Sequence, residues 1–237
     1  MHLPGRVVLV TGASAGIGRA TARRFAQEGA LLALVARSAD KLASLAEEII
    51  ARGGQAIAVP ADLRDPDSPK GVVAQTVRHF GRLDILLNNA GQAAAGDVAD
   101  VNPDHFRQIT DLNVYAPLLL IQAAVPVMRK GGGGLIINVS SMVSKMRIPG
   151  LAAYAATKAA LDVLSDTARL ELAQDSIRVI TIFPRMTATD FARNSLGDPV
   201  LRRRQREGSP APVDSPEFVA EKIVAAALHE PDEQYMG

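Results

Sequence analysis

The amino-acid sequence predicts an α/β protein with a doubly wound parallel sheet between two helical layers, an α/β/α arrangement of three layers. Short apolar runs alternate along the chain with longer segments of helical period, which is typical of repeated βα units. The apolar runs are hydrophobic almost throughout, as expected of strands buried on both faces of a parallel sheet. Because crossovers between parallel strands are right-handed, such units build an open doubly wound sheet.

The individual elements follow from the same two patterns. Strands are predicted at the near-continuous hydrophobic runs 6–10, 31–35, 55–59, 84–87, 135–139 and 177–183. Helices with apolar residues three and four positions apart are predicted at 16–28, 39–52, 66–80, 103–129 and 154–173. A last helix begins at Ser215-Pro216-Glu217, which has the form of an N-cap and first turn, and continues to about Leu228.

The segment 185–212 differs from the rest of the chain. It is polar and basic and is interrupted by glycines and prolines, so it is predicted to be a mobile loop with a short helix. The sequence contains no internal repeat and no interdomain linker, and its 237 residues are enough for one substantial core. We therefore predict a single domain over 1–237.

Composition excludes several classes of function. With 26 Lys and Arg against 25 Asp and Glu, and 4% aromatic residues, the chain lacks the charge and the stacking platforms of a nucleic-acid binder. The absence of cysteine excludes disulfides, thiolate metal sites and a cysteine nucleophile, and the four histidines show no ligand spacing, so no metal site is predicted. The longest apolar stretch, 116–128, contains Gln122 and two prolines and is shorter than the about 18 residues of a membrane span. The start lacks a signal sequence, and we predict a cytoplasmic protein with no membrane partner.

A glycine-rich turn follows the first predicted strand and opens the first helix. Glycines in this position let the chain turn sharply and let backbone amides approach a pyrophosphate. The spacing is Gly-x3-Gly-x-Gly and differs from the Gly-x-Gly-x-x-Gly fingerprint of many dinucleotide sites, so glycines that merely shape the turn are the alternative. The candidate cofactor-binding residues here are Gly12, Ser14, Gly16, Ile17 and Gly18.

The end of the second strand indicates which dinucleotide binds. An NAD enzyme places an acid there to hold the ribose 2′-hydroxyl, whereas this chain has Arg37 and Ser38. Because a guanidinium suits a 2′-phosphate, we predict that NADP(H) is preferred over NAD(H). The alternative is that Arg37 is a solvated residue and that Asp40 does the work of the acid.

Candidate catalytic residues follow the fourth and fifth predicted strands. Tyr154 and Lys158 stand four residues apart on one helix, so the phenol and the ammonium share a face. Ser141 ends the fifth strand at the edge of the sheet where ligands of this fold bind, and Asn89 ends the fourth strand at the same edge. Asn113 lies within the predicted helix 103–129, where an amide on an apolar face is expected to hold another group.

These residue types suit proton transfer beside a hydride carrier. An isolated tyrosine has a pKa of about 10, and a nearby ammonium together with the charge of an oxidised nicotinamide favours the phenolate. Lys158 is placed to lower the pKa of Tyr154, and the Ser141 hydroxyl can hydrogen-bond a substrate oxygen as charge develops on it. The alternative is that Tyr154 and Lys158 form a surface pair and that the serines cap a strand.

In order and spacing these motifs resemble those of the short-chain dehydrogenase/reductase family, whose members have a Rossmann-type fold. The resemblance covers almost the whole chain, and its motif residues are Thr11 to Gly18, Asn88, Asn89, Ala90, Gly91, Asn113, Ser140, Ser141, Tyr154 and Lys158. It implies that Tyr154 is the acid/base, that Lys158 binds the nicotinamide ribose, and that Ser141 orients the substrate carbonyl. Asn113 would anchor a water in a proton relay.

The resemblance also implies further contacts with the cofactor. Asp62 and Leu63 would contact the adenine, and the backbone near Pro184 and Thr187 would hold the carboxamide, with Thr189 nearby. Asn89, Ala90 and Gly91 would line the cofactor. The segment 185–212 corresponds to the substrate loop, and family members are commonly homodimers or homotetramers.

Three features depart from the family pattern. The chain has Pro184-Arg185 where relatives usually have Pro-Gly, which places a bulky cation beside the expected nicotinamide site. The usual final strand is predicted to be absent or cut short before Gly237. Position 15, where some NADP-preferring relatives carry a second basic residue, is alanine, so the cofactor prediction depends on Arg37.

The sequence thus predicts an NADP(H)-dependent oxidoreductase that interconverts a carbonyl and a secondary alcohol. A 3-oxoacyl-carrier-protein reductase is the rival within the same class, although Asp175 stands where a basic docking residue is expected. From a different class, a non-catalytic NADP-binding sensor or scaffold remains open. The basic run 201–206 has two interpretations: it binds an anionic substrate, or it is a solvated face of a helix.

Overall fold

The structure is a computed structural model and describes residues 1–197 and 213–236. The predicted basic run 201–206 and most of the predicted loop 185–212 therefore lie outside the described residues. The strands are Val7–Thr11 (β1), Leu31–Ala36 (β2), Gln55–Pro60 (β3), Ile85–Asn88 (β4), Ala94–Ala95 (β5), Gly134–Val139 (β6), Ile177–Phe183 (β7), Leu196–Gly197 (β8) and Glu233–Tyr235 (β9). The helices are Gly16–Gln27 (α1), Ala39–Ala51 (α2), Ser68–Phe80 (α3), Pro103–Thr110 (α4), Ala116–Lys130 (α5), Ala152–Leu172 (α6) and Pro216–His229 (α7).

The predicted fold class is confirmed. Within the described ranges, seven strands form one parallel sheet in the order β3-β2-β1-β4-β6-β7-β9. The helices α1, α2 and α7 cover one face of this sheet, and α3, α5 and α6 cover the other. The order reverses between β1 and β4, which is where doubly wound sheets bind their ligands.

The alternation of side chains along the strands feeds two separate cores. In β1, Val8 and Val10 join the core beneath α1 and α7, whereas Val7 and Leu9 join the core beneath α3 and α5. Because both faces of the sheet are covered, the strand residues are hydrophobic without interruption. This burial is the physical reason for the near-continuous apolar runs in the sequence.

The predicted helix 103–129 is broken into three parts. It runs as α4, a π-helical turn at Asp111–Tyr115, and α5. The whole stretch Pro103–Lys130 is long and apolar enough to cross a membrane, and 39% of its most apolar window is buried within the protein. A core helix meets the same criteria of length and composition, so these two properties do not by themselves indicate a membrane span.

The final strand was expected to be absent or cut short, and only the first of these alternatives is wrong. The strand β9 is present, although it has only three residues, and it pairs in parallel with β7 through Thr181, Ile182 and Phe183. Its sequence is polar, so apolar periodicity does not reveal it. The Tyr235 ring stacks on the Phe183 ring, its partner in the strand register, with 4.8 Å between ring centres.

Candidate active site

The glycine turn lies at the reversal of strand order. Thr11, the last residue of β1, accepts hydrogen bonds at Oγ1 from the backbone N–H groups of Asn89 (2.9 Å) and Ala90 (3.0 Å). The Asn89 side-chain Nδ2 donates in turn to Thr11 O at 2.9 Å. These contacts join the ends of β1 and β4, so the predicted residues of the two motifs lie side by side.

Close approach explains the glycines of the turn. A Cβ on Gly18 would lie 2.3 Å from Gly12 O, and a Cβ on Gly12 would lie 2.8 Å from Asn89 Nδ2. Gly12 also has a φ of 67°, a conformation that favours glycine. A Cβ on Gly16 would lie 3.0 Å from Thr189 Cγ2, so Thr189 packs beside the turn.

The N-terminus of α1 fits a pyrophosphate. Its N-cap, Ala15, provides no side-chain hydrogen bond, and the described first turn of α1 contains no acidic residue. The first backbone N–H groups of a helix need partners, and the helix dipole favours an anion there. Ser14 is half-buried immediately before this turn, and Ile17 packs against the core. The residues present therefore suit the diphosphate of a dinucleotide.

The candidate adenosine contacts lie at the carboxyl ends of β2 and β3. Arg37 is exposed directly after β2, and Ser38 is the N-cap of α2. Arg64 pairs with Asp62, with 2.6 Å between a guanidinium nitrogen and Oδ2. This hydrogen-bonded pair lowers the pKa of Asp62, and the charge of Arg37 adds a smaller effect in the same direction. Leu63 is buried beside this pair.

The first two turns of α6 carry the predicted tyrosine and lysine. Tyr154 is 8% exposed and Lys158 is 4% exposed. The Lys158 Nζ lies 6.0 Å from the centre of the Tyr154 ring and donates a 2.8 Å hydrogen bond to Val139 O at the end of β6. A hydrogen bond joins the Ser141 and Tyr154 side chains. The structure thus brings together Ser141, Tyr154 and Lys158.

Burial shifts the pKa values of Tyr154 and Lys158 in opposite directions. It raises the pKa of Tyr154 well above the ordinary tyrosine value, and the hydrogen bond with Ser141 acts in the opposite direction. Burial lowers the pKa of Lys158 to about 8, and the negative charge of Asp162 opposes this lowering. The expected lowering of the tyrosine pKa is therefore not found in the protein by itself, because desolvation of the phenolate outweighs the nearby groups.

Asn113 lies in the π-helical turn and joins three segments. Its Oδ1 accepts from Gln92 N at 3.0 Å, while its Nδ2 donates to Gln92 O at 2.8 Å and to Thr157 Oγ1 at 3.0 Å. A Cβ on Gly91 would lie 3.2 Å from Asn113 Oδ1 and 3.6 Å from Lys158 Nζ. Gly91 therefore lies against both of these predicted side chains, and π-helical turns of this kind are frequent at functional sites.

The segment after β7 closes the same side of the site. The buried Pro184 accepts a 3.0 Å hydrogen bond at its carbonyl from Met142 N, directly after Ser141. The Arg185 guanidinium is held by Asp214 at 3.0 and 3.2 Å, and Thr187 pairs with Asp214 through a backbone bridge. The cation that replaces the usual glycine is thus accommodated by an ion pair with the residue just before α7.

Three residues near the site were missed by the sequence analysis. The Phe191 ring packs on the Tyr154 ring with 5.6 Å between centres, and Gln92 Nε2 donates to Asn194 O at 2.8 Å. Asp162 contacts the segment that carries Ser141. An acid one helical turn after Lys158 is a visible signal for Asp162, whereas the contacts of Phe191 and Gln92 depend on the pairing of β5 with β8.

Known proteins resemble this chain over most of its length. The family described as short chain dehydrogenase matches residues 6–199. An uncharacterized oxidoreductase of Methylorubrum extorquens is 41% identical over 79% of this chain and 75% of its own. A 3-oxoacyl-[acyl-carrier-protein] reductase of Synechocystis sp. is 35% identical over 84% of this chain and 81% of its own.

Among solved structures, a 7α-hydroxysteroid dehydrogenase complexed with NADH and 7-oxo glycochenodeoxycholic acid has a TM-score of 0.89 and 28% identity, over 99% of this chain and 93% of its own. This fold, the family match and the nucleotide turn agree with one another. The chain belongs to the short-chain dehydrogenase family. It is accordingly an oxidoreductase with a nucleotide-binding Rossmann fold.

Proposed function

We propose that the protein is an NADP(H)-dependent oxidoreductase that interconverts a carbonyl and a secondary alcohol, with Tyr154 as general acid/base. The observation that carries this proposal is the meeting of Ser141, Tyr154 and Lys158 at the carboxyl edge of the sheet, beside the glycine turn. A non-catalytic NADP sensor would not need a buried phenol and ammonium there, since burying ionisable groups costs free energy.

The side chains suggest a division of roles. Held beside Lys158 and the glycine turn, a reduced nicotinamide would provide the hydride for the carbonyl carbon. Tyr154 Oη gives its proton to the carbonyl oxygen, and the raised pKa of Tyr154 keeps that proton in place before the reaction. Ser141 Oγ donates a hydrogen bond to the same oxygen. Lys158, with a pKa of about 8, is mostly charged at neutral pH, so it can hold a ribose hydroxyl and stabilise the phenolate that forms.

Tyr154→Phe tests the catalytic role. It removes the proton donor and retains the ring, so turnover should fall by about 10²–10⁴-fold while the Kd for NADPH changes little. The assay follows NADPH absorbance with a panel of diketones, aldehydes, steroids and acyl thioesters. Tyr115→Phe is the control, because it removes the same hydroxyl from a side chain that is 55% exposed at the end of the π-helical turn. Undiminished turnover in Tyr154→Phe refutes the role, and tight NADPH binding without any wild-type turnover favours the sensor.

Arg37 carries the proposed preference for NADP(H). Its guanidinium is exposed at the end of β2 and close enough to Asp62 to lower the pKa of that carboxyl. A hydrogen-bonded pair with a charged phosphate contributes about 1.5–3 kcal/mol, so Arg37→Asp should lower kcat/KM for NADPH by about 10–150-fold and spare NADH. Lys41→Asp makes the same change of charge on the exposed side of α2 and should have little effect. Equal wild-type efficiency with both cofactors contradicts the preference.

A carrier-protein reductase is the second candidate, because a protein of that name is similar over most of the chain. Basic residues on the helices that would contact a carrier protein would favour this candidate. Arg129 is instead paired with Asp175 at 2.7 Å, which offsets its charge. Comparing a 3-oxoacyl group on carrier protein with the same group on coenzyme A decides the question, since a carrier-protein reductase requires a clear advantage for the carrier-bound form.

We further propose that the enzyme is a cytoplasmic homodimer or homotetramer that acts on a small molecule, with no nucleic-acid or membrane partner. The outer faces of the helices on one side of the sheet expose apolar residues, namely Phe106, Tyr115, Val163 and Leu170. Exposed apolar patches of this kind suit association with a second copy. Light scattering on the purified chain should give a dimer or tetramer mass, and Leu170→Glu should shift it toward the monomer.

A further inference from the structure

Asp162 is a buried carboxylate that the reaction proposed above does not use. It lies on α6, one turn after Lys158, and its side chain is 8% exposed. A charged carboxylate in such a position is costly unless hydrogen bonds and opposite charges compensate it. Its contacts therefore indicate what the charge is for.

The two oxygens of Asp162 contact both sides of Ser141. Ser140 Oγ donates to Oδ1, and Lys145 Nζ lies 3.4 Å from Oδ2. Ser141 stands between these two contacts and is the N-cap of the short 3₁₀ helix Met142–Lys145. The carboxylate thus ties the beginning and the end of the segment 140–145 to α6, the helix that carries Tyr154.

Asp162 also acts on Lys158. The ammonium of Lys158 is buried and donates to Val139 O, and burial lowers its pKa to about 8. The charge of Asp162 opposes that lowering. Residues four apart on a helix are neighbours, so this effect is expected from their positions.

The other charged groups around Asp162 are few among the described residues. Lys145 is the cation on the 3₁₀ helix, and its Nζ also lies 4.6 Å from the centre of the Phe183 ring on β7. On β9, Tyr235 hydrogen-bonds Glu233 at 2.9 Å, and the pKa of Tyr235 is raised mainly by that contact and slightly by Asp162. Asp166 lies one turn further along α6 and pairs with Arg169.

We propose that Asp162 is a positioning residue, which holds Ser141 against α6 through Ser140 and Lys145 at a place one helical turn after Lys158. The proposal rests on the catalytic roles given above to Ser141 and Lys158. Two opposite electrostatic effects follow from it. Removing the charge of Asp162 destabilises protonated Lys158 and lowers its pKa. Removing Lys145 takes away the cation that offsets the charge of Asp162, so the carboxylate stabilises protonated Lys158 more strongly and raises its pKa.

The test compares Asp162→Asn, Lys145→Met and, as the matched control, Asp166→Asn. The pH profile of kcat/KM for NADPH reports groups of the free enzyme, and Lys158 loses its proton before Tyr154 as the pH rises. The alkaline limb should move to lower pH by about one unit in Asp162→Asn and to higher pH in Lys145→Met. Asp166→Asn should superimpose on the wild type. A loss of packing alone lowers turnover without these opposite shifts.

A second measurement needs neither cofactor nor turnover. The folded-state pKa of Lys158 lies below the ordinary value of 10.5, so the unfolded chain binds more protons between about pH 8 and 10.5 and stability rises across that window. Melting temperatures from pH 6 to 10 should show this rise beginning at lower pH in Asp162→Asn and at higher pH in Lys145→Met.

The two measurements separate the proposals. The role of Asp162 is overturned if Asp162→Asn and Lys145→Met both keep the wild-type pH profile and the wild-type pH at which the melting temperature begins to rise. A wild type that neither binds NADPH nor turns over any carbonyl overturns the proposed function instead, and the melting curves then still decide whether Asp162 supports the charge of Lys158.

Discussion

Substituting Gly18 by alanine tests whether the contact between α1 and the turn before it is as close as the structure shows. A Cβ at this position would lie 2.3 Å from Gly12 O, whereas a carbon and a carbonyl oxygen ordinarily stay about 3.3 Å apart. The helix would have to move by about 1 Å, because the obstacle is backbone. Gly71 is the matched control, since it also lies in a helix, α3, and a Cβ there meets nothing within 4 Å.

The expected magnitude follows from two opposing effects. Overpacking of a tight contact costs about 1–3 kcal/mol, and the upper end applies here because the contact is so short. Alanine is favoured over glycine within a helix by about 1 kcal/mol, which leaves a net loss of about 2 kcal/mol for Gly18→Ala. At about 2–4 °C for each kcal/mol, its melting temperature should fall by about 4–8 °C, and that of Gly71→Ala should rise by about 2–4 °C.

Two assays check these values. Thermal unfolding of both variants measures stability, and a fluorescence titration with NADPH measures affinity. A shift of about 1 Å in the N-terminus of α1 should weaken NADPH binding by roughly 10–100-fold in Gly18→Ala and leave Gly71→Ala unchanged. If Gly18→Ala is as stable as Gly71→Ala and binds NADPH as tightly, the close approach of helix and turn is wrong.

Three further variants probe the surroundings of the site. Arg64 holds the pKa of Asp62 below its ordinary value of 3.8, so the ion pair stabilises the fold at pH values above 3.8. The difference in melting temperature between the wild type and Asp62→Asn should therefore shrink as the pH falls below about 4. Asp214→Ala leaves the half-buried Arg185 without its carboxylate, so unfolding measurements should show a loss of about 1–3 kcal/mol. Gly197 has a φ of 78°, and a Cβ there would lie 2.3 Å from a backbone oxygen of β5, so Gly197→Ala should disturb the pairing of β5 with β8 and lower the melting temperature in thermal unfolding.

Much of the site could be predicted because its residues follow recognisable local patterns. Tyr154 and Lys158 share a helix face through their spacing alone, and the glycine turn is recognisable from its place between a strand and a helix. The π-helical turn at Asn113 was not predictable in this way, because it depends on hydrogen bonds to Gln92 and Thr157, which lie far away in the sequence.

The amino-acid sequence by itself determined the order of the main strands and helices and the position of the candidate motifs along them, because hydrophobic periodicity and motif spacing are local properties of the chain. Tertiary structure alone decided the pKa shifts of Tyr154 and Lys158, since desolvation depends on what surrounds a side chain. It also decided that Arg185 pairs with Asp214, a contact between residues 29 positions apart. Contacts of this kind form only when the chain packs, and no local pattern encodes them.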